Sequence, residues 1–493
     1  MSAVPTSVGR AATRGSYAWK KTLPTLKPRS NAAPTTMQGI DPSHNQPMGS
    51  WSNEQIGASV KENVMLTWAP SKMKNNLPII THGEGVYLWD SNGKKYLDWT
   101  SQAVCTNGGH TVSENIKSAV AEQLDRTPFV YGGMAMCEVR ARLSNIISSV
   151  LPEGLTGCAF PSSGSEANEA AITMARRYTG KTKIINWYRS YHGGTTNSLE
   201  ATGDFRRWYI QPPPGFVKAH NPNPYFFEFA GATEEEKTEM SLLMLEEQIL
   251  YEGADHVACI MLESIPGAAG VLTLPEGYMQ GVRALCDKYG ILLHLDEVMV
   301  GFGRTGNMWG FQHYDGVVPD IVTSAKGLSS SITPISMVAV SDKMMEFFEE
   351  NPMGWGSTFQ AHPVAMAAAY ANIKEMLSND VIGHVQEMAP IFEAHMKECA
   401  SSHPSIKQYR AAGLFGALDI VSPDGTQPHH FNAPRTEATA AYAKAFNEVG
   451  LIGLFRPPVI HIAPPLIINE AEIKEGFEKQ HQALDVLDKA LGY

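Results

Sequence analysis

Two charged residues stand at the ends of apolar runs, and as a pair they point to one chemistry. Ile291, Leu292, Leu293, His294 and Leu295 form an apolar run broken only by the histidine, and the run stops at Asp296-Glu297. A second run, Ile321-Val322-Thr323, leads to Lys326-Gly327. Runs without polar alternation read as strands buried on both faces, as in a parallel sheet. Parallel sheets bind ligands beyond the carboxyl ends of their strands, so Asp296 and Lys326 can face one cavity. Pyridoxal phosphate is held as a Schiff base on a lysine, and a carboxylate pairs with its pyridinium nitrogen. That carboxylate keeps the ring protonated and able to take up electrons. The competing reading is an ordinary buried Asp beside a solvated Lys, and these two residues alone leave it open.

Further along the chain stand groups that suit the rest of such a cofactor. Cys158-Ala159-Phe160 reads as a short strand running into Pro161-Ser162-Ser163-Gly164-Ser165-Glu166, followed by an alanine-rich helix to Arg177. Ser163 and Glu166 have capping-box spacing. Small residues at a helix start also expose N–H groups that bind phosphate. The strand Ile184 to Trp187 is followed by Tyr191-His192, and Tyr191 can stack on a flat ring. A Tyr-His pair is by itself weak evidence. Val257 to Glu263 is one more buried strand ending in an acid.

Gly301-Phe302-Gly303-Arg304-Thr305-Gly306 fits the GxGxxG dinucleotide fingerprint, which must follow a strand and open a helix. The next residues, Asn307 to Phe311, have no helical period, and the acid at the right distance, Asp320, precedes its apolar run instead of ending it. The nicotinamide reading fails on that context.

These groups need a scaffold. Strands alternating with helices from about 105 to 345 predict a doubly wound, mostly parallel α/β domain. Met337 to Ser341 supplies one more strand, Thr233 to Leu250 a capped helix, and proline-rich 211–232 a surface loop. Beyond lie a long helix from His362 to Leu377 and short strands at Leu418 to Val421 and Val459 to Ile462. The runs Gly85 to Asp90 and Lys95 to Trp99 flank Asn92-Gly93 and read as a hairpin. The expected division is a tail at 1–50, an N-terminal segment at 51–104 that joins a smaller α+β domain, a large domain at 105–345, and an interdomain helix with the C-terminal small domain at 346–493.

With 493 residues the chain has length for two domains, and 43% hydrophobic with 18% charged residues is globular-enzyme composition. A net charge of -11 argues against a nucleic-acid partner. No apolar run approaches the about 20 residues that span a bilayer. The six cysteines form no CxxC pair, so neither a disulfide framework nor a zinc site is expected. The first 40 residues hold six Lys and Arg and no acid before Asp41, a composition resembling an organelle transit peptide. The mitochondrion is the expected destination, with plastid and cytoplasm as alternatives.

From about Trp68 onward the chain resembles the class III (ω-) aminotransferases, pyridoxal phosphate enzymes of fold type I. The resemblance rests on ordered motifs: SSGSEANEAA at 162–171, SYHGG at 190–194, ES-PGAAG from Glu263, LDEVMVGFGRTG at 295–306, PDIVTSAKGL at 319–328, GSTFQAHP at 356–363 and APPLII at 463–468. The tracts ATGDFRRW at 201–208 and GSTFQAHPVAMAAA are most similar to members that use pyruvate with an ω-amino donor such as taurine or β-alanine. The resemblance implies a large doubly wound domain with a smaller α+β domain built from both chain ends. It implies that Lys326 carries pyridoxal 5'-phosphate and then acts as base, that Asp296 pairs with the ring nitrogen, and that Val298 and Tyr191 pack on opposite ring faces. Ser163, Gly164 and Ser165 hold the phosphate, joined by Thr358 of a neighbouring subunit, which makes the active unit a homodimer or a dimer of dimers. Glu263 and His192 lie by the cofactor, and Trp68, Arg456 and His461 stand at the substrate.

The expected reaction moves an amino group from an ω-amino acid or primary amine to pyruvate or glyoxylate by ping-pong chemistry. Members that use 2-oxoglutarate often carry Arg at the position of His461, so a five-carbon diacid loses a bidentate partner here, at a cost on the order of 2–4 kcal/mol. Competing readings are an aminomutase or decarboxylase on the same fold, a 2-oxoglutarate-using member, and an inactive binding protein. The last is opposed by the presence of both Lys326 and Asp296.

Overall fold

The computed structural model describes residues 42–223, 232–427 and 435–493. The chain divides into two units, ending and beginning at Leu77 and Pro78. The first contains a helix at Asn53–Asn63, started by Ser52, whose side chain accepts from Gln55 N while Gln55 returns the bond to Ser52 N. Trp68 lies in this unit, 57% exposed.

The second unit is built around a seven-stranded sheet. Its strands are β1 (Leu155–Ala159), β2 (Lys183–Trp187), β3 (Phe216–Ala219), β4 (Val257–Glu263), β5 (Leu292–Asp296), β6 (Ile321–Ser324) and β7 (Met337–Ser341), in the spatial order β1-β7-β6-β5-β4-β2-β3. β6, β5, β4, β2 and β3 run parallel. All seven residues of β4 and all five of β5 are buried, as continuous apolar runs require when helices cover both faces. The helices Gly164–Thr179 and Tyr278–Tyr289 are among those that pack on it.

Two features differ from the expected pattern. β7 is antiparallel to both β6 and β1, because the chain returns from β6 through the Lys326 turn and a loop, with no crossover helix to restore direction. β3 lies inside the stretch expected to be loop. Its four residues pair with β2 at the sheet edge, and the prolines at 212–214 hide so short a strand from pattern reading. Residues 224–231 of that stretch lie outside the described residues.

The hairpin Tyr87–Asp90 and Lys95–Asp98 forms as expected and is extended by Ile80–Glu84 on one side and by Leu451–Ile452 on the other. Ile406–Ala412, Phe415–Ile420, Val459–Ile462 and Phe455–Arg456 form a third, antiparallel sheet. Helices Val381–Ser402, Glu437–Glu448 and Glu470–Leu491 enclose a core in which Trp99 meets Phe477 edge-on at 5.1 Å. A Cβ on Gly476 would stand 2.1 Å from the Trp99 ring, so only glycine lets the last helix approach this closely.

Candidate active site

The carboxyl ends of the central strands bring three polar residues into line. Glu263 pairs in register with Asp296, and Asp296 with Thr323. Asp296 is 4% exposed. Its Oδ2 accepts from Asn168 Nδ2 and lies against His192 Nδ1, each at 2.8 Å, and its Oδ1 accepts from Val298 N at 3.0 Å. Burial alone would raise its pKa, but the His192 hydrogen bond and charge together with the Val298 amide hold it below the ordinary carboxylate value. Asp296 is therefore an anion at neutral pH.

Asn168 is a residue the motif reading passed over. It sits on the inner face of helix Gly164–Thr179 among alanines, where a fully buried amide must be hydrogen-bonded. Its Oδ1 accepts from Thr323 Oγ1 at 2.7 Å and its Nδ2 also donates to His192 O at 2.6 Å. A lone Asn among small apolar residues on a helix's core face was the available signal.

The helix start is capped by Ser163, whose Oγ accepts from Glu166 N at 3.3 Å. The reciprocal half of the expected capping box goes elsewhere: Glu166 Oε2 accepts from Ser162 N at 2.7 Å. That leaves Ser163, Gly164 and Ser165 at a helix N-terminus, a ready site for a phosphate. Ser165 Oγ accepts from Gly194 N at 2.9 Å, which ties this turn to the Tyr191 loop. A Cβ on Gly164 would lie 3.0 Å from both methyls of Val298, so a larger residue there would press on Val298.

Glu263 fixes the loop that carries Tyr191. Its Oε1 accepts from Tyr191 N at 2.9 Å and its Oε2 from Gly267 N at 3.0 Å, and burial, with the Asp296 charge beside it, raises its pKa to about 7. The neighbouring Glu297 has no exposed surface and accepts from Gly310 N at 2.7 Å, Phe311 N at 3.0 Å and Ser264 Oγ. It holds the 301–310 loop in shape. Arg304, from the GxGxxG-like run, is sealed in the interior and donates to Leu414 O, Pro464 O, Ser101 Oγ and Asn107 Oδ1 at 2.6–3.1 Å. No helix begins in that run, so it is a structural strap and not a nucleotide loop.

Lys326 opens a short 3-10 turn directly after β6 and is half-buried. Burial and, further, the Arg456 charge lower its pKa to about 8, while Cys105, Asp296 and Glu263 pull the other way. A lysine so shifted has a substantial neutral fraction at neutral to mildly alkaline pH, the form that attacks carbonyl carbons.

Two arginines approach the same cleft. Arg206 Cζ stands 3.6 Å from the centroid of the Tyr191 ring, and the Arg206 guanidinium is paired with the Asp204 carboxylate. Arg456 is exposed, yet desolvation by the atoms around it and the Arg206 charge lower its pKa to about 10. Among the described residues Arg456 has no ion-pair partner, and its charge is felt at Lys326, Tyr191 and His461.

His461 is placed otherwise than a substrate contact requires. It is 4% exposed on strand Val459–Ile462, and its Nε2 is 3.0 Å from Gly267 O, which it can only approach as donor. Burial, with Arg456 nearby, lowers its pKa to about 4, so it is neutral. Sequence position put it where an arginine was expected; the strand pairing turns it inward. Thr358 is exposed.

The residues present fit pyridoxal phosphate. An ionised carboxylate, a lysine with lowered pKa, a small-residue helix start and an aromatic ring lie on adjoining elements. His192 Nε2 is buried and has no hydrogen-bond partner among the described residues, as befits a group beside a ligand site. Lys326 can carry the cofactor, Asp296 can hold its ring nitrogen, Ser163, Gly164 and Ser165 its phosphate, and Tyr191 and Val298 its faces.

Comparison with known proteins agrees. The family model described as "Aminotransferase class-III" matches residues 69–484. A taurine–pyruvate aminotransferase of Bilophila wadsworthia is 34% identical over 446 residues, 85% of this chain and 95% of the relative. A putrescine–pyruvate aminotransferase of Pseudomonas aeruginosa is 33% identical over 426 residues, 83% of this chain and 90% of the relative. A solved taurine:2-oxoglutarate aminotransferase of Bifidobacterium kashiwanohense, in complex with PLP and glutamate, superposes with a TM-score of 0.85 at 37% identity, covering 90% of this chain and 100% of that one. On these grounds the chain belongs to the class III aminotransferases and is a pyridoxal phosphate-dependent aminotransferase.

Proposed function

We propose that this aminotransferase takes its amino group from a primary amine with an anionic tail, an ω-amino acid or sulfonate, and passes it to pyruvate or glyoxylate. The observation that carries the reading is Arg456, a cation without an ion-pair partner among the described residues and within electrostatic reach of Lys326 and Tyr191. An anionic group that reaches it brings the rest of a short substrate to Lys326. Arg206 is already matched by Asp204, so it is not a second unpaired cation for a diacid. Arg410 is bound by both of its outer nitrogens to Asp419, at 2.6 and 2.7 Å.

Pyridoxal phosphate, when bound, supplies the electron sink that makes the carbon bearing the amino group acidic. Lys326 Nζ would take the proton from that carbon and return it two atoms away, a 1,3-shift. Asp296, held anionic by His192 and Asn168, keeps a proton on the ring nitrogen.

A 2-oxoglutarate-using enzyme is the second reading, favoured by the named acceptor of the Bifidobacterium kashiwanohense protein. A panel of ω-amino donors against pyruvate, glyoxylate and 2-oxoglutarate separates the two. Pyruvate or glyoxylate exceeding 2-oxoglutarate in kcat/KM by more than about tenfold supports the first, and equal use overturns it. Turnover without any oxo acid would instead indicate a mutase or decarboxylase.

The homodimer belongs to the same proposal. Thr358 and Phe359 are exposed, and Phe359 meets Phe129 edge-on at 6.0 Å, beside exposed Tyr131, Met134 and Met136. An apolar face of this kind suits a second copy, with Thr358 reaching the partner's phosphate. Residues 1–50 are proposed to direct the chain to mitochondria, on their basic, acid-poor composition; residues 1–41 lie outside the described residues.

A further inference from the structure

The last helix, Glu470–Leu491, carries His481, Asp485 and Asp488 at positions i, i+4 and i+7, which share one face. That face meets His403, the residue ending helix Val381–Ser402. The His403 side chain is 5% exposed. Its Nδ1 lies 2.7 Å from Asp488 Oδ2 and 3.9 Å from Asp485 Oδ1. Its Nε2 lies 2.7 Å from His481 Nδ1, and His481 Nε2 lies 3.7 Å from Cys399 Sγ. The other oxygen of Asp488 accepts from Ser405 N at 3.2 Å. The Asp485 side chain is 64% exposed and has no hydrogen bond among the described residues.

We propose that His403 Nδ1, Asp485 and Asp488 form a binding site for a divalent transition-metal ion of the zinc type, with His481 as the residue that positions His403. One imidazole nitrogen and two carboxylate oxygens lie within 4.8 Å of one another. Zinc holds such atoms at about 2.0–2.2 Å in a tetrahedron, which sets them roughly 3.4 Å apart. The observed 2.7 and 3.9 Å straddle that spacing. Three protein ligands leave a fourth position for water, and the exposed Asp485 gives the ion a way in. An imidazole in the set favours zinc, cobalt or nickel over the oxygen-seeking calcium and magnesium.

The outer partners are already in place. With the ion on Nδ1, His403 carries its proton on Nε2 and donates to His481 Nδ1. His481 then carries its own proton on Nε2, toward Cys399 Sγ. Each imidazole keeps one proton, so binding requires only a tautomer change along the chain. The bound ion would clip the last helix to helix Val381–Ser402. Cysteine spacing gave no sign of such a site, because its ligands are imidazole and carboxylate, with His403 and Asp488 85 residues apart.

The test uses full-length, cofactor-saturated enzyme stripped with a chelator. Equilibrium dialysis against zinc and cobalt is expected to show one tight ion per chain and a raised melting temperature. Asp485→Asn, at an exposed position, is expected to fold normally, to weaken binding at least about tenfold and to leave amino transfer unchanged. His481→Gln is expected to weaken binding about 10- to 100-fold, the usual effect of losing an outer partner. Absence of a bound ion in the wild type, or unchanged affinity in Asp485→Asn, overturns the proposal and leaves a hydrogen-bonded His–Asp pair.

Discussion

His192 Nδ1 stands 2.8 Å from Asp296 Oδ2, with both side chains sealed from solvent. The pair is completed by Asn168 and the Val298 amide, so the carboxylate proposed to hold the cofactor's ring nitrogen is kept charged by partners from three separate segments. Asp296→Asn keeps the shape and removes the charge. It is expected to retain cofactor and to lower kcat by about 10²–10³, the usual effect of removing one preorganised electrostatic group. Asn168→Ala removes one hydrogen bond to a charged acceptor, at about 1.5–3 kcal/mol, and so is expected to cost about 10- to 100-fold. Steady-state rates with cofactor occupancy read by absorbance check both, and near-wild-type rates for Asp296→Asn would mean another group does this work.

Lys326 is expected to be the covalent anchor. Lys326→Ala should abolish turnover, and borohydride reduction of the wild type should fix the cofactor to the peptide containing Lys326. Label recovered on any other lysine refutes the assignment.

The lowered pKa of Lys326 makes a further prediction for the cofactor-free enzyme. Only the neutral amine attacks an aldehyde, so the rate of recombination with pyridoxal phosphate should rise with pH and level off above about 8. The Arg456 charge is one of the causes that lower this pKa, so removing it should raise the midpoint. Arg456→Gln is therefore expected to move the profile to higher pH. A profile centred near the ordinary lysine value in the wild type would show that the amine is better solvated than the structure places it.

Arg456→Gln should also discriminate among substrates. Donors with a carboxylate or sulfonate tail are expected to lose roughly 10- to 100-fold or more in kcat/KM, while an uncharged primary amine of similar length loses little. Equal losses for both donor types would assign Arg456 a structural role.

A chain starting near Met48 is expected to remain folded and active, since it keeps the capped helix Asn53–Asn63 and everything after it. Residues 1–50 fused to a reporter are expected to carry it to mitochondria, and a reporter that stays in the cytosol removes the targeting part.

Much of the site was legible without coordinates because its groups lie at ends of simple patterns. Asp296 and Lys326 each close a buried run, and a residue at the end of a parallel strand has little choice of where to be. Ser163 announced its helix by cap chemistry, and that cap forms, although Glu166 returns its bond to Ser162. The GxGxxG-like run lacks the context of a nucleotide loop, and Arg304 shows why: four hydrogen bonds of its guanidinium are made inside the fold.

The chain's order of residues thus determined the parallel sheet, through uninterrupted apolar runs and a capped helix start, and the cofactor chemistry, through a carboxylate and a lysine at strand ends read together with the ordered motifs of a known family. Tertiary structure alone decided the rest. It turned His461 inward onto Gly267 O, placed Asn168 and His192 on one carboxylate across 128 and 104 residues, and set Arg206 over Tyr191. It also reversed β7 and paired β3 at the sheet edge. The physical reason is common to all of these. Which way a side chain points, and which partner a short strand finds, is settled by long-range packing and hydrogen bonding, whose energies exceed any local preference written in neighbouring residues.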